Sequence, residues 1–388
     1  MEAFKLKHRQ RLFILPQILL GVIALCLFLS LTGCYSYVDV NPSLPPITKK
    51  PKRVSLLLPL QGEWSAIGEA VKNGFIEANQ MAGSPVVVDV LDTQRINSMP
   101  LAHKRGAQLG ADLVVGPLLQ SDVQTLSQFL AMKVPVLTLN YLDTQITAPS
   151  NFYQFGLSPI DEIKQLVKHA KRNDHQSALI MVPDNTWGKK VSQAFTLYWE
   201  EQGGTVVDCL HYSDELPLLD KQIRSFLRFK LPQQRRDDFD VIFLGAPSEL
   251  GRHINPLLAF YFSANVPVYA TASIYDTGVP DYLNRDLDKI NICDTFWSLG
   301  HYKIKSSLSN QFMSRYANSF QHYSRYYALG VDAFDIAMQL YQLDLDDTQI
   351  VKGASGQLSL DKNRCIIRVS PLAQFKKSKP HLLSTLEE

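Results

Sequence analysis

What most constrains this chain is a succession of short, unbroken apolar segments separated by helical patterns. "VSLLL" (54–58), "VVVDVL" (86–91), "DLVVG" (112–116), "VPVLTLN" (134–140) and "FYQFGL" (152–157) come first. "SALIMV" (177–182), "TVVDCL" (205–210), "DVIFLG" (240–245) and "VPVYAT" (266–271) follow. A strand with one wet face alternates apolar and polar residues, whereas a continuous apolar run belongs to a parallel sheet covered on both faces. The helices between them fit that cover. Residues 66–78 place Ile67, Ala70, Val71, Gly74, Phe75 and Ala78 on one stripe, with Lys72, Asn73 and Glu77 opposite and Ser65 as the expected N-cap. Nine such runs exceed what one compact sheet usually holds, so the expected class is α/β with two doubly wound lobes. The first runs from Val54 to about Leu157, the second from Ser158 to about Thr271. Residues 309–345 then read as a long helical stretch, and "GASGQLSLDKNRCIIRV" (353–369) as an antiparallel hairpin.

The first 33 residues are of another kind. "MEAFKLKHRQR" is basic, "LFILPQILLGVIALCLFLSL" is 20 residues without a charge, and "LTGC" closes the run at Cys34. A basic start, an apolar run and small residues before a cut form an export signal. Leu31-Thr32-Gly33-Cys34 also fits a bacterial lipobox, in which the cysteine is acylated and becomes the new N-terminus. A run of this length also suits an uncleaved membrane anchor. Tyr35, rather than Asp, after the cysteine favours the outer membrane, with the protein facing the periplasm. Residues 34–53 hold four prolines and form a tether. The net charge of +2 falls to about −1 without the leader, which gives no electrostatic ground for nucleic-acid binding.

In doubly wound folds, ligands sit beyond the carboxyl ends of strands. That rule selects Gln61, Trp64 and Ser65, then Asn140 and Tyr141, from the first lobe, and Asn185, Trp187 and Ser273 from the second. Amides, hydroxyls and rings of this kind suit a small-molecule ligand. The same residues also suit the closing of turns and the packing of lobes. The packing reading comes first and the ligand second. With Cys26 in the leader and Cys34 carrying lipid, three cysteines remain. Cys209 lies in an apolar strand pattern, and Cys293 with Cys365 form the pair to test for a disulfide. Nucleophile-elbow, zinc-protease, phosphate-loop and C-x-x-C motifs are missing, and the nine histidines lack metal spacing. No enzyme, cofactor or metal is expected. "QQRRDD" (233–238) reads as a solvated loop or as a docking edge. In "RYANSFQHYSRYYALG" (315–330), Tyr316, Phe320 and Tyr323 share a core face, while Arg315, Arg325 and Tyr326 are the surface candidates.

A resemblance joins these readings. "PLQGEWSAIGEAVKNGF", "VVGPLL", "VPVLTLN", "FYQFGLSP" and "RRDDFDVIFLGAP" resemble the LppC lipoprotein family. So do "INPLLAFYFSANVPVYATASIYD", "ALGVDAF" and "GQLSLDKNRCIIR", in the same order. The best-known members are LpoA-type activators of penicillin-binding proteins. The resemblance implies a type I periplasmic-binding-protein fold, two Rossmann-like lobes joined by three crossings. These would fall near Leu157–Pro159, Ala272–Tyr275 and Leu343–Asp347. The lobes would then comprise 54–157 plus 273–345 and 158–272 plus 346–380, with the hairpin in the second. It also implies an outer-membrane lipoprotein that binds and activates a class A penicillin-binding protein, a bifunctional peptidoglycan synthase. Longer relatives carry a helical repeat domain ahead of this one, where the present sequence has only its tether. The alternative is a membrane-anchored solute receptor of the amino-acid type.

Overall fold

Two large sheets and one small one organise the chain. The computed structural model describes residues 47, 49–129, 132–143, 145–231, 234–342 and 351–383. The leader, Cys34 and most of the tether lie outside these. Among the described residues no helix is long and apolar enough to cross a membrane.

The first lobe opens with β1 (Arg53–Leu58), α1 (Ser65–Met81), β2 (Val87–Asp92), α2 (Thr93–Ile96) and α3 (Met99–Gln108). It continues with β3 (Leu113–Val115), α4 (Gln120–Ser127), β4 (Val136–Thr138) and β5 (Phe152–Gln154). The strands run parallel in the order β2-β1-β3-β4-β5. Val54, Leu56, Leu57 and Leu58 are all fully buried, as a strand covered on both faces requires. Trp64, not Ser65, occupies the N-cap position of α1, with no side-chain hydrogen bond there.

The second lobe repeats the plan: α5 (Pro159–Arg172), β6 (Ser177–Pro183), α6 (Thr186–Glu201), β7 (Thr205–Tyr212), α7 (Leu216–Phe226), β8 (Val241–Leu244), α8 (Ser248–Phe260), β9 (Val268–Ala270) and β10 (Asn291–Cys293). Its parallel strands take the order β7-β6-β8-β9-β10, the same winding as the first sheet. The chain then returns to the first lobe with α9 (Ser306–Arg315) and α10 (Ala317–Gln339). A small antiparallel sheet follows: β11 (Val351–Lys352), β12 (Gln357–Leu360) and β13 (Ile366–Val369). Finally β14 (Leu372–Lys376) and β15 (Lys379–Leu382) extend the second sheet, antiparallel, beside β10.

Helix α10 packs on α1 at a distance only glycine allows. A Cβ on Gly330 would lie 2.2 Å from the carbonyl oxygen of Val71, and one on Gly74 2.4 Å from that of Tyr327. Phe75 meets Phe334 edge to face across the contact, centroids 5.4 Å apart. Glu77 of α1, buried, receives Gln311 and Arg315 from α9 and the Tyr316 hydroxyl at 3.0 Å. Phe320 is buried, and Tyr316 and Tyr323 pack on the same core, as their spacing suggests.

Three boundaries differ from expectation. Residues 273–293 belong to the second lobe, because Ile274, Leu287, Ile290 and Ile292 bury in its core and β10 is its fifth parallel strand. The second crossing is therefore at residues 294–295. The hairpin belongs to the first lobe, since Leu358, Leu360 and Ile366 bury in that core. Cys365 also bridges the edge strand β5 at Gln154. The passage back to the second lobe falls at residues 370–371, between β13 and β14. The expected third crossing near Leu343–Asp347 lies outside the described residues. The first crossing, Leu157–Pro159, is where the sheets change over.

Candidate functional site

The carboxyl ends of both sheets face each other, and the cleft between them is divided into three connected hollows. On the first lobe a hollow of about 380 Å³ opens where the strand order reverses between β1 and β3, lined by Trp64, Ile67, Leu118, Asn140 and Tyr326. On the second lobe a larger one of about 1080 Å³ lies over β6, β7 and β8, lined by Asn185, Trp187, His211, Glu249 and Ser273. A third, about 220 Å³, sits at the crossings and shares Leu157 and Tyr326 with the first and Trp187 and Ser273 with the second.

The cleft residues chosen from sequence do gather here, but most of their polar atoms are spent on the chain itself. Asn140 donates to Leu118 O at 3.1 Å and accepts from Tyr141 N at 2.9 Å. The Tyr141 hydroxyl lies 2.9 Å from Ile366 O and 3.3 Å from Asp161, so it joins the loop after β4 to β13 of the same lobe and to α5 of the other. Asn185 caps α6 by accepting from Gly188 N at 2.8 Å. The Ser273 hydroxyl lies 2.8 Å from both Ala246 O and the Thr271 hydroxyl. Gln61 is exposed and lines none of the three hollows. Trp64 and Trp187 remain open to the cleft, while Ser65, half-buried, lines none of the hollows.

The lobes are also fastened to each other. At one side Lys190 of α6 pairs with Asp143 of the first lobe at 2.9 Å, and Gln120 and Gln124 hold the same carboxylate. At the other, Thr277 donates to His322 O at 3.3 Å. Between them lies a cluster of buried charge that sequence reasoning missed. Arg325 of α10 donates to Asp294 at 2.7 Å, to Tyr275 O at 3.0 Å and to Ala272 O at 3.3 Å. Glu162 of α5 accepts from Ala272 N at 2.8 Å. Arg368 of β13 donates to Ser370 and to Gly156 O, both at 3.0 Å. Each crossing thus contributes a charged residue. Burial, then the neighbouring Asp294, raises the Glu162 carboxyl to about 7. Burial raises Asp161 and Asp294 as well. Arg325 and Tyr326 are half-buried at the cleft and the crossings rather than on the outer surface. Arg325 turns inward to Asp294, while Arg315 is exposed apart from its bond to Glu77. The acidic pair in "SPIDE" marks a helix start in sequence, but nothing there announces that it meets Arg325 from 163 residues away.

Cys293 and Cys365 do not pair. Cys209, Cys293 and Cys365 are free thiols. Cys293 is buried in β10 near Ser370 O, while Cys365 borders β5 and receives Gln154 Nε2 at 3.3 Å. They belong to different lobes. Among the described residues no group of histidine, cysteine and acidic side chains is arranged to hold a metal.

Two wound lobes, three crossings and a shared cleft define the class: a fold of the periplasmic-binding-protein type. A leucine-binding protein of Thermotoga maritima matches with TM-score 0.57 at 16% identity, over 86% of this chain and 97% of that one. The model of the LppC putative lipoprotein family matches residues 47–378, and the chain belongs to that family. Proteins named penicillin-binding protein activator LpoA are similar. That of Vibrio antiquarius is 27% identical over 346 residues, 82% of this chain and 56% of the relative. That of Photobacterium profundum is 25% identical over 338 residues, 81% and 54%. The chain spans about half the length of these curated relatives. A solved LpoA C-domain from Haemophilus influenzae, described as a regulator of PBP1A, superposes with TM-score 0.72 at 22% identity, over 86% of this chain and all of that one.

Proposed function

We propose that this protein is a lipoprotein of the outer membrane, anchored through Cys34, whose two-lobed body binds a class A penicillin-binding protein and raises its peptidoglycan-synthase activity without catalysing a reaction. The observation that carries this reading is the match to the whole of a domain described as a regulator of PBP1A. The state of the cleft supports it. Asn140, Tyr141, Asn185 and Ser273 serve turns and lobe packing, which favours a body built to be held by a partner over one built to enclose a solute. Binding the active state of a synthase more tightly than the idle one is sufficient to activate it. The test is glycan polymerisation and crosslinking by the purified synthase with and without this protein. A rate increase that saturates with concentration is expected, and an unchanged rate rejects the proposal. The second-lobe hollow keeps the amino-acid-receptor reading as an alternative. A ligand present at 100 times its Kd raises stability by about 2.7 kcal/mol, so a thermal-shift screen of amino acids separates the two.

A further inference from the structure

At the outer edge of the second sheet, away from the cleft, the turns after α7 and α8 come together. Leu231 is 79% exposed, Phe260 69% and Phe262 45%. Phe229 stacks on Phe262, with centroids 5.7 Å apart and planes 15° from parallel. Tyr261 lies between Phe229 and Phe260, at 5.0 and 5.1 Å. Large apolar side chains grouped in water mark a surface that something else covers. The backbone adds a second sign. Phe262 has φ +59°, a left-handed conformation usually given to glycine after a helix end, and it is the one apolar non-glycine residue so placed among the described residues. That conformation costs about 1 kcal/mol for an L-residue, so a ring is kept there against the preference of its own backbone.

The charge around the cluster is mainly basic. From Lys221 to Arg236 there are six cations and no acid. Arg236 is spent internally on Asp208 and Asp238, at 2.9 and 2.7 Å, and Arg228 lies 3.9 Å from Asp238. Asp220 accepts from the Tyr261 hydroxyl, and Asp237 stands exposed at the rim. Lys221, Arg224, Lys230 and Arg235 have no carboxylate partner among the described residues. Arg235 donates to Phe262 O at 2.8 Å, and Arg224 lies over the Phe229 ring at 5.9 Å. The result is an exposed apolar cluster flanked by cations that no carboxylate among the described residues neutralises.

We infer that this pole is where the protein docks on its partner, and that the partner offers an apolar recess with an acidic rim. The inference rests on the synthase reading above and names the surface it uses. Aromatic and arginine side chains carry interface energy, and complementary charge speeds and orients the encounter. A basic margin around exposed rings suits a folded partner with an acidic rim, and this surface lies on the second lobe, whereas the segment leading back toward Cys34 enters the first lobe at Arg53.

The test uses the full chain and the purified class A synthase from the same organism. The double variant Leu231→Glu, Phe260→Glu should bind at least about 10-fold more weakly while melting within a few degrees of the parent. Lys230→Glu with Arg235→Glu should slow association and flatten its salt dependence. Leu197→Glu, at an equally open site on α6, should bind as the parent does. If the parent binds the synthase and the Leu231/Phe260 variant binds equally well, this inference is overturned and the proposed function stands. If the parent does not bind, both are overturned. If the variant keeps the synthase but loses binding to vesicles of anionic phospholipid, the pole is a membrane contact and the inference is again overturned.

Discussion

Glu162 faces Asp294, Arg325 and Arg368 in a junction where water has little access, and its carboxyl rises from 4.5 to about 7. Between those two pH values the folded chain keeps a proton that the unfolded chain has released. Stability from this group therefore declines as pH rises from about 4.5 to about 7, by roughly 3 kcal/mol, and is level beyond. Glu162→Gln keeps an acceptor for Ala272 N and removes the titration. Melting temperatures at pH 5 and pH 8 should differ less in this variant than in the parent, and equal pH dependence in the two contradicts the assignment. Arg325→Ala leaves Asp294 buried without its cation, a loss of about 3–5 kcal/mol in urea unfolding. A change below 1 kcal/mol in that measurement means the pair is not the fastening described here.

At the level of elements, α1 and α10 depend on two glycines facing backbone. Gly330→Ala sets a methyl 2.2 Å from Val71 O, and the helices must separate. Overpacking of this kind costs about 1–3 kcal/mol, measurable as a lower denaturation midpoint with an unchanged slope. A neutral result would show that α10 shifts without penalty. The same elements explain what sequence could tell. Continuous apolar runs such as "VSLLL" and "SALIMV" identified covered strands, because burial on both faces leaves no other pattern. "NIC" of β10 is three residues long with a polar first member, too short to carry a period, and the second crossing was misplaced with it. Alternation in "GQLSL" revealed which side of the hairpin is apolar but not which core receives it. For the same reason two cysteines could look near in a linear map and lie in separate lobes. The cleft residues were found because strand ends are legible. Their commitment to turns was not, since a hydrogen bond between residues 22 apart, as from Asn140 to Leu118, leaves no mark on composition.

Across the whole molecule, three chain passages and the charges of Glu162, Asp294, Arg325 and Arg368 meet at one junction. Neither lobe can unfold without exposing unpaired charge in the other, so calorimetry should give one cooperative transition. Two well-separated transitions would show that the junction does not couple the lobes. The Lys190–Asp143 pair at the cleft mouth is half exposed, and Lys190→Ala should change stability by no more than about 1 kcal/mol. The spent amides and hydroxyls of the cleft have a wider consequence. A metabolite that reached Asn140, Tyr141, Asn185 or Ser273 would have to displace a bond already made, an exchange close to break-even before its lost freedom is counted. On the reading proposed above, whatever signal such a body conveys is set by the macromolecule that holds it.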